Sequence, residues 1–170
     1  MQWKGGYQSG PTCILGVRRV LMLQVFSSVS WSAGSAFAST IILENNKRLI
    51  SFFCNQYENV PSHTAAELLG VLQSLEAIVS DYSQEHISIF TNNHGITSKL
   101  NAHILYDHNP QGAYPELWDK LYRLVDCFEW ARVYRYRSTE VPYNPVHACR
   151  ALCTSAARHR AKEVPACTQL

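Results

Sequence analysis

The 170-residue sequence has no run of about eighteen apolar residues, the length a helix needs to cross a bilayer, so no membrane span is expected. Its opening stretch, MQWKGGYQSGPTCILGVRR, carries an early charge at Lys4, a brief apolar patch and no clear cleavage site, which argues against a secretory signal. A glycine-rich phosphate loop, a GxSxG elbow and an HExxH pair are all missing, which removes the nucleotide-loop, serine-hydrolase and zinc-protease signatures. There is also no CxxC. The six cysteines, Cys13, Cys54, Cys127, Cys149, Cys153 and Cys167, are scattered, and they read as free thiols of a reducing, intracellular compartment, nuclear or cytoplasmic. Cys149 and Cys153 would share a helix face, but the second pair of a structural zinc site is lacking. Charge is sparse, at 16% of residues against 46% hydrophobic, and this balance suits one globular domain that buries most of its apolar surface.

The little charge there is lies unevenly. From Lys120 onward there are nine Lys or Arg and four Asp or Glu, a balance of +5; before it the count is six against nine, or −3. A basic final third suits a phosphate backbone and equally a solvated helix face.

Residues 1–17 show no hydrophobic period and carry Gly5, Gly6, Gly10, Pro11 and Gly16, the composition of a loose leader. The domain is expected over 18–161, with a frayed tail over 162–170. Val20 to Ser30, Ala36 to Leu43 and Arg48 to Asn55 have strand composition, the last two joined by a turn at Glu44-Asn45-Asn46-Lys47. Ser62 to Val79 comes next as a helix, with Leu68, Leu72, Leu75 and Val79 at helical spacing. Ser62 or Thr64 is its candidate N-cap, and Glu67 stands three residues after Thr64 as in a capping box. His86 to Thr91 alternates as a strand, a short helix spans Asn93 to about Leu100, and 101–114 is expected to be irregular. Pro115 opens an amphipathic helix through Leu117, Trp118, Leu121, Leu124 and Val125. Arg132 to Arg137 alternates as a strand, 139–145 is a loop, and Val146 to about Arg160 is a last helix. Three strands followed by βα units argue for a mixed α/β sheet flanked by helices.

Four segments in this order carry a resemblance. TAAELLGVLQSLEAI resembles a helix whose Glu is a metal ligand, here Glu67. HISIFTNN resembles a strand ending Thr-Asp-Ser, with Thr91, Asn92 and Asn93 in those places. VFSSVS resembles a first strand ending Thr-Asp-Gly-Ser, with Ser27, Ser28, Val29 and Ser30 there. ELWDKLYRLVDCFEWARVYRY resembles a Leu-Trp helix and the aromatic strand after it. Together they are similar to the type 1 ribonuclease H family, in its retroelement and viral form, over about Val20 to Ala157. The resemblance implies a five-stranded mixed sheet, three antiparallel strands and then βα units. It also implies Mg²⁺ or Mn²⁺ as cofactor and cleavage of the RNA strand of RNA–DNA hybrids, in which paired metals activate water and stabilise the leaving oxygen.

The same comparison exposes departures. The first-strand Asp becomes Ser28 and the fourth-strand Asp becomes Asn92. The last-helix Asp falls at Ala148 or, with a one-residue shift, at Cys149, and the loop His falls near Ser138 or Thr139. Glu67 alone survives of the four metal ligands. With these departures the resemblance implies an eroded domain that binds no metal. It would hold nucleic acid, an RNA–DNA hybrid or duplex, or serve as a connection beside a polymerase or polyprotein partner. A working hybrid ribonuclease with an atypical site and a protein-interaction domain are the alternatives. Asp81, Asp107 and Glu140 are carboxylates that could refill the site, and His94 could face the same cleft. Arg135 and Arg137, on a strand face opposite Tyr134 and Tyr136, and Arg150 on the last helix are the expected phosphate contacts, continued by Arg158, Arg160 and Lys162. His63 and Thr64 stand where the family uses Gly and Asn to read the RNA minor groove.

Overall fold

The computed structural model describes residues 20–45, 48–110, 112–136 and 145–163, the side chains at 145–147, 150 and 160–163 excepted. Five strands, β1 (Met22–Ser32), β2 (Ser35–Glu44), β3 (Arg48–Tyr57), β4 (His86–Thr91) and β5 (Trp130–Arg135), form one sheet in the order β3-β2-β1-β4-β5. The first three pair antiparallel, and β4 and β5 add parallel to β1. The expected mixed sheet is therefore present, with β1 at its centre. Four helices accompany it: α1 (His63–Tyr82), α2 (His94–Tyr106), α3 (Pro115–Val125) and α4 (Pro145–Glu163). Among the described residues no helix is long and apolar enough to cross a membrane.

Alternation along β1 divides its side chains between the two faces. Leu23 and Val25 join Ile42, Ile87, Ile89 and Val133 beneath α1, α2 and α3, whose Leu68, Leu72, Leu75, Leu100 and Leu121 complete the main core. Phe26 faces the other way, where it meets Ile41, Tyr136 and Cys149 of α4 in a smaller cluster. The β1–β2 hairpin turns at Ala33 and Gly34, both at positive φ (48° and 82°), the backbone a two-residue turn with the hand of the sheet requires.

α1 is the helix read from the sequence, capped by Ser62, whose Oγ accepts from Ala65 N at 3.1 Å. The same oxygen accepts from the Tyr114 hydroxyl at 2.7 Å, so the cap also ties α1 to the start of α3. Glu67 takes no part in capping, because Ser62 rather than Thr64 ends the helix. α2 differs from the reading more: it continues through 101–106, where irregular chain was expected. Tertiary contacts hold that extra stretch. Asn101 exchanges two hydrogen bonds with Val133 of the edge strand β5, donating from Nδ2 to the carbonyl (2.8 Å) and accepting from the amide (3.2 Å). His103 is buried between Asn109 and Asp126, with ring nitrogens 2.5 and 2.7 Å from their carboxamide and carboxylate oxygens. β5 starts at Trp130 and ends at Arg135, two residues earlier at each end than expected. The expected leader, the loop at 139–144, the turn residues Asn46 and Lys47 and the tail from 164 lie outside the described residues.

Candidate functional site

The C-terminal end of β4 and the N-terminal turns of α1 and α2 meet beside β1. Phe26 and Phe90 are partners in the parallel β1–β4 register, and Ser28 and Asn92 follow two residues further along the two chain segments. Ser28 is buried; Asn92, just past the end of β4, is exposed. α1 crosses β1 closely here. A Cβ at Gly70 would lie 2.9 Å from Val29 Cγ2 and 3.1 Å from Ser27 Oγ, and Glu67 sits one turn before that crossing.

Glu67 is 8% exposed, and a carboxylate so withdrawn from water needs partners. Its Oε2 accepts a hydrogen bond from Asn93 Nδ2, and His63 Nδ1 lies 3.4 Å from the same oxygen. Asn93 is itself the N-cap of α2, its Oδ1 accepting from Ile96 N at 3.0 Å, while its backbone N donates to Thr91 Oγ1 at 3.2 Å. The amide thus faces a carboxylate with one end and a helix terminus with the other. Sequence reading assigned Asn93 a place in a strand-end pattern and missed it as the partner of Glu67. The available signal was an Asn three residues before Ile96, which is N-cap spacing and leaves its NH₂ free for a nearby acceptor.

The last-helix position resolves into two different environments. Ala148 is exposed, whereas Cys149 is fully buried, its Sγ 3.5 Å from the Phe26 carbonyl and its own carbonyl accepting from Ser39 Oγ at 2.6 Å. Burial pushes the Cys149 thiol up to about 12 and raises Cys153 as well. Cys153 packs one turn on, with Sγ 3.1 Å from the Ser28 carbonyl and 3.0 Å from Ser39 Oγ. Both thiols serve the contact between α4 and the sheet.

The other carboxylates offered by the sequence lie elsewhere. Asp81 is in the last turn of α1, about 20 Å along the helix from Glu67 at 1.5 Å per residue, and Asp107 caps the far end of α2. Glu140, Arg137, Ser138 and Thr139 are outside the described residues. His94 begins α2 and is exposed. Arg135 pairs with Thr91 in the β4–β5 register, one residue before Asn92, and is exposed, so one expected phosphate contact does stand beside this end of the sheet. Arg150 lies on α4 with its side chain undescribed, and Arg158 is exposed further along the same helix.

A pair of Mg²⁺ ions requires several anionic oxygens converging on one point. Of Glu67, Ser28, Asn92 and Ala148 or Cys149, one is a carboxylate, and an amide already occupies it. Among the described residues no group of three or more His, Cys, Asp or Glu converges to hold a metal ion. This donor set does not fit a two-metal centre.

The fold is that of ribonuclease H. The chain is similar to the N-terminal ribonuclease H domain of a Mycobacterium tuberculosis protein with a TM-score of 0.66 at 9% identity, over 85% of this chain and 99% of the other. It is similar to ribonuclease H1 of the archaeon Halobacterium salinarum with a TM-score of 0.62 at 13% identity, over 81% and 98%. A foamy viral protease–reverse transcriptase, solved in complex with an RNA/DNA hybrid, matches 92% of this chain with 22% of its own length, with a TM-score of 0.60 at 10% identity. No family model matches the sequence, and no curated protein matches it. At such identities the likeness speaks for the fold alone.

Proposed function

We propose that this chain is a ribonuclease H-like domain of a retroelement-type protein that holds an RNA–DNA hybrid or duplex without cutting it. The observation that carries this reading is the Glu67–Asn93 hydrogen bond. Where an active site would present a carboxylate to a metal, this one is satisfied by a neutral amide, with the neutral Ser28 and Asn92 nearby. Losing metal-linked charge stabilisation costs hydrolysis orders of magnitude in rate. It costs phosphate binding much less, because cations and backbone donors suffice for that. Arg135, exposed beside Thr91, supplies such a cation at the same end of the sheet, and Arg137 and Arg150 are its proposed companions. The chain needs no bound Mg²⁺ or Mn²⁺ in this role, and an intracellular site agrees with Cys54, Cys127, Cys149 and Cys153, which are unbridged among the described residues.

A second reading has its own observation. The likeness to a segment of a foamy viral protease–reverse transcriptase favours a structural connecting role beside a polymerase.

The test incubates purified chain and a Glu67→Ala variant with labelled hybrid and Mg²⁺ or Mn²⁺. Intact hybrid in both reactions is the expected outcome, whereas cleavage that disappears in the variant would restore a working enzyme. In parallel, hybrid affinity should fall with salt, and Arg135→Ala should reduce the slope of log affinity against log salt by about one contact. Absence of any binding at low ionic strength would sink the nucleic-acid role and leave the connecting one.

A further inference from the structure

The sheet face that carries α4 is covered mainly over β1 and β2. Towards β5 the register lays out three rows of side chains on that face: Phe26, Phe90 and Tyr134; then Gln24, Ser88 and Arg132; then Met22, His86 and Trp130. In the first row the rings stand face to face. Phe26 and Phe90 are 4.6 Å apart with planes 14° from parallel, and Phe90 and Tyr134 are 5.2 Å apart at 20°. The inner end of this stack is closed, with Phe26 5% exposed, while the outer ring, Tyr134, is 44% exposed on the last strand of the sheet. The third row repeats the aromatic character, with the His86 and Trp130 rings 5.4 Å apart. Between the two rows lies Arg132, half-buried, its guanidinium 5.8 Å from the centre of the Trp130 ring.

Cross-strand aromatic pairs stabilise a sheet, which accounts for the inner contacts. It does not account for the outer end, because edge strands facing water ordinarily carry charge rather than an open ring. A ring that ends a stack, with a cation two residues away on the same face, matches a nucleotide: a flat base to lengthen the stack and a phosphate for the guanidinium. Duplex bases have both faces occupied, so only a single strand can offer one.

We propose that this edge of the sheet binds a single-stranded polynucleotide, one base stacking on the open face of Tyr134 as a fourth ring and Arg132 meeting the adjoining phosphate. The inference stands on the aromatic rows and Arg132, at a different place from Glu67, and does not depend on the hybrid reading above.

The full chain would be titrated against fluorescent oligo(U) and oligo(dU) of about ten nucleotides, within the usual footprint of single-strand binders. Binding of either strand is expected at low salt, and the two arms separate a contribution of the ribose from one of base and phosphate alone. Tyr134→Ala should weaken binding about 5- to 150-fold, the loss of one stacked base, while Tyr134→Phe keeps it. Arg132→Gln should lower the salt slope by about 0.7. Hybrid affinity should not change in the Tyr134 variants, so a failure of hybrid binding is told apart from a failure here. An exposed ring can be removed without loss of the core, and an unchanged melting temperature checks this. Oligonucleotide affinity equal in Tyr134→Ala and the native chain would overturn the proposal, as would a native chain that binds neither strand at low salt, the outcome for a face that receives another protein.

Discussion

Asn93 divides one side chain between two tasks, and Glu67 depends on the division. Its oxygen holds the first turn of α2 and its NH₂ holds the carboxylate of α1, so the pair joins two helix starts that the chain separates by a whole strand. Removing the carboxylate leaves a half-buried amide donor without its acceptor. Glu67→Ala is therefore expected to destabilise the fold by about 1–3 kcal/mol, and Glu67→Gln by less, since its carbonyl can still accept from Asn93. Thermal melts of the two variants check this; equal, negligible shifts would mean that the bond contributes nothing to stability. The sequence marked Glu67 through its flanking pattern, but it could not tell a capping carboxylate from one bonded to another helix, because that distinction lies in a partner 26 residues away. The same limit hid the contrast between Ala148 and Cys149. A one-residue shift in alignment exchanges an exposed position for one sealed against Phe26, and spacing alone does not choose between them.

At the level of elements, α1 is seated by what it lacks. A glycine inside a helix ordinarily gains about 1 kcal/mol on replacement by alanine. At Gly70 the added methyl would meet Val29 at 2.9 Å and Ala38 at 3.3 Å, both rooted in the central strands. Overpacking of that kind costs about 1–3 kcal/mol. Gly70→Ala is thus expected to lower stability on balance, measured by denaturant midpoint, and a stabilised variant would mean that α1 rides higher on the sheet. Elements with a strong local period were legible: α1, β4 and α3 lie where alternation and helical spacing put them. α2 was legible only at its start. Its hydrophobic residues, Ile96, Leu100 and Ile104, do continue to Tyr106, but the polar residues among them, Asn101 and His103, resemble loop residues until β5 and Asp126 take up their hydrogen bonds.

For the whole molecule, the order of strands and helices was enough to reach the sheet, because three antiparallel strands followed by βα units leave few ways to close one. The chemistry of the cleft is a property of a few side chains on that frame, and it can be rewritten without changing the frame. Combining Ser28→Asp, Asn92→Asp and Ala148→Asp with the native Glu67 should create a Mg²⁺ site seen as heat of binding and as a melting temperature that rises with Mg²⁺. The exposed Ala148 accepts a carboxylate, whereas Cys149→Asp would bury one among Phe26, Ile41 and Tyr136 and unfold the chain instead. A flat Mg²⁺ titration of the folded triple variant would remove Ser28, Asn92 and Ala148 from the ligand positions. The frame also leaves two edge strands, β3 and β5. β5 ends the sheet, and a bare edge strand is a template on which another chain can grow. At its centre the side chain of Asn101 takes both the amide and the carbonyl of Val133, as a sixth strand would. One carboxamide thereby blunts the β5 edge against a sixth strand, and β3, with Leu49 and Phe52 exposed, is left as the sheet's other edge.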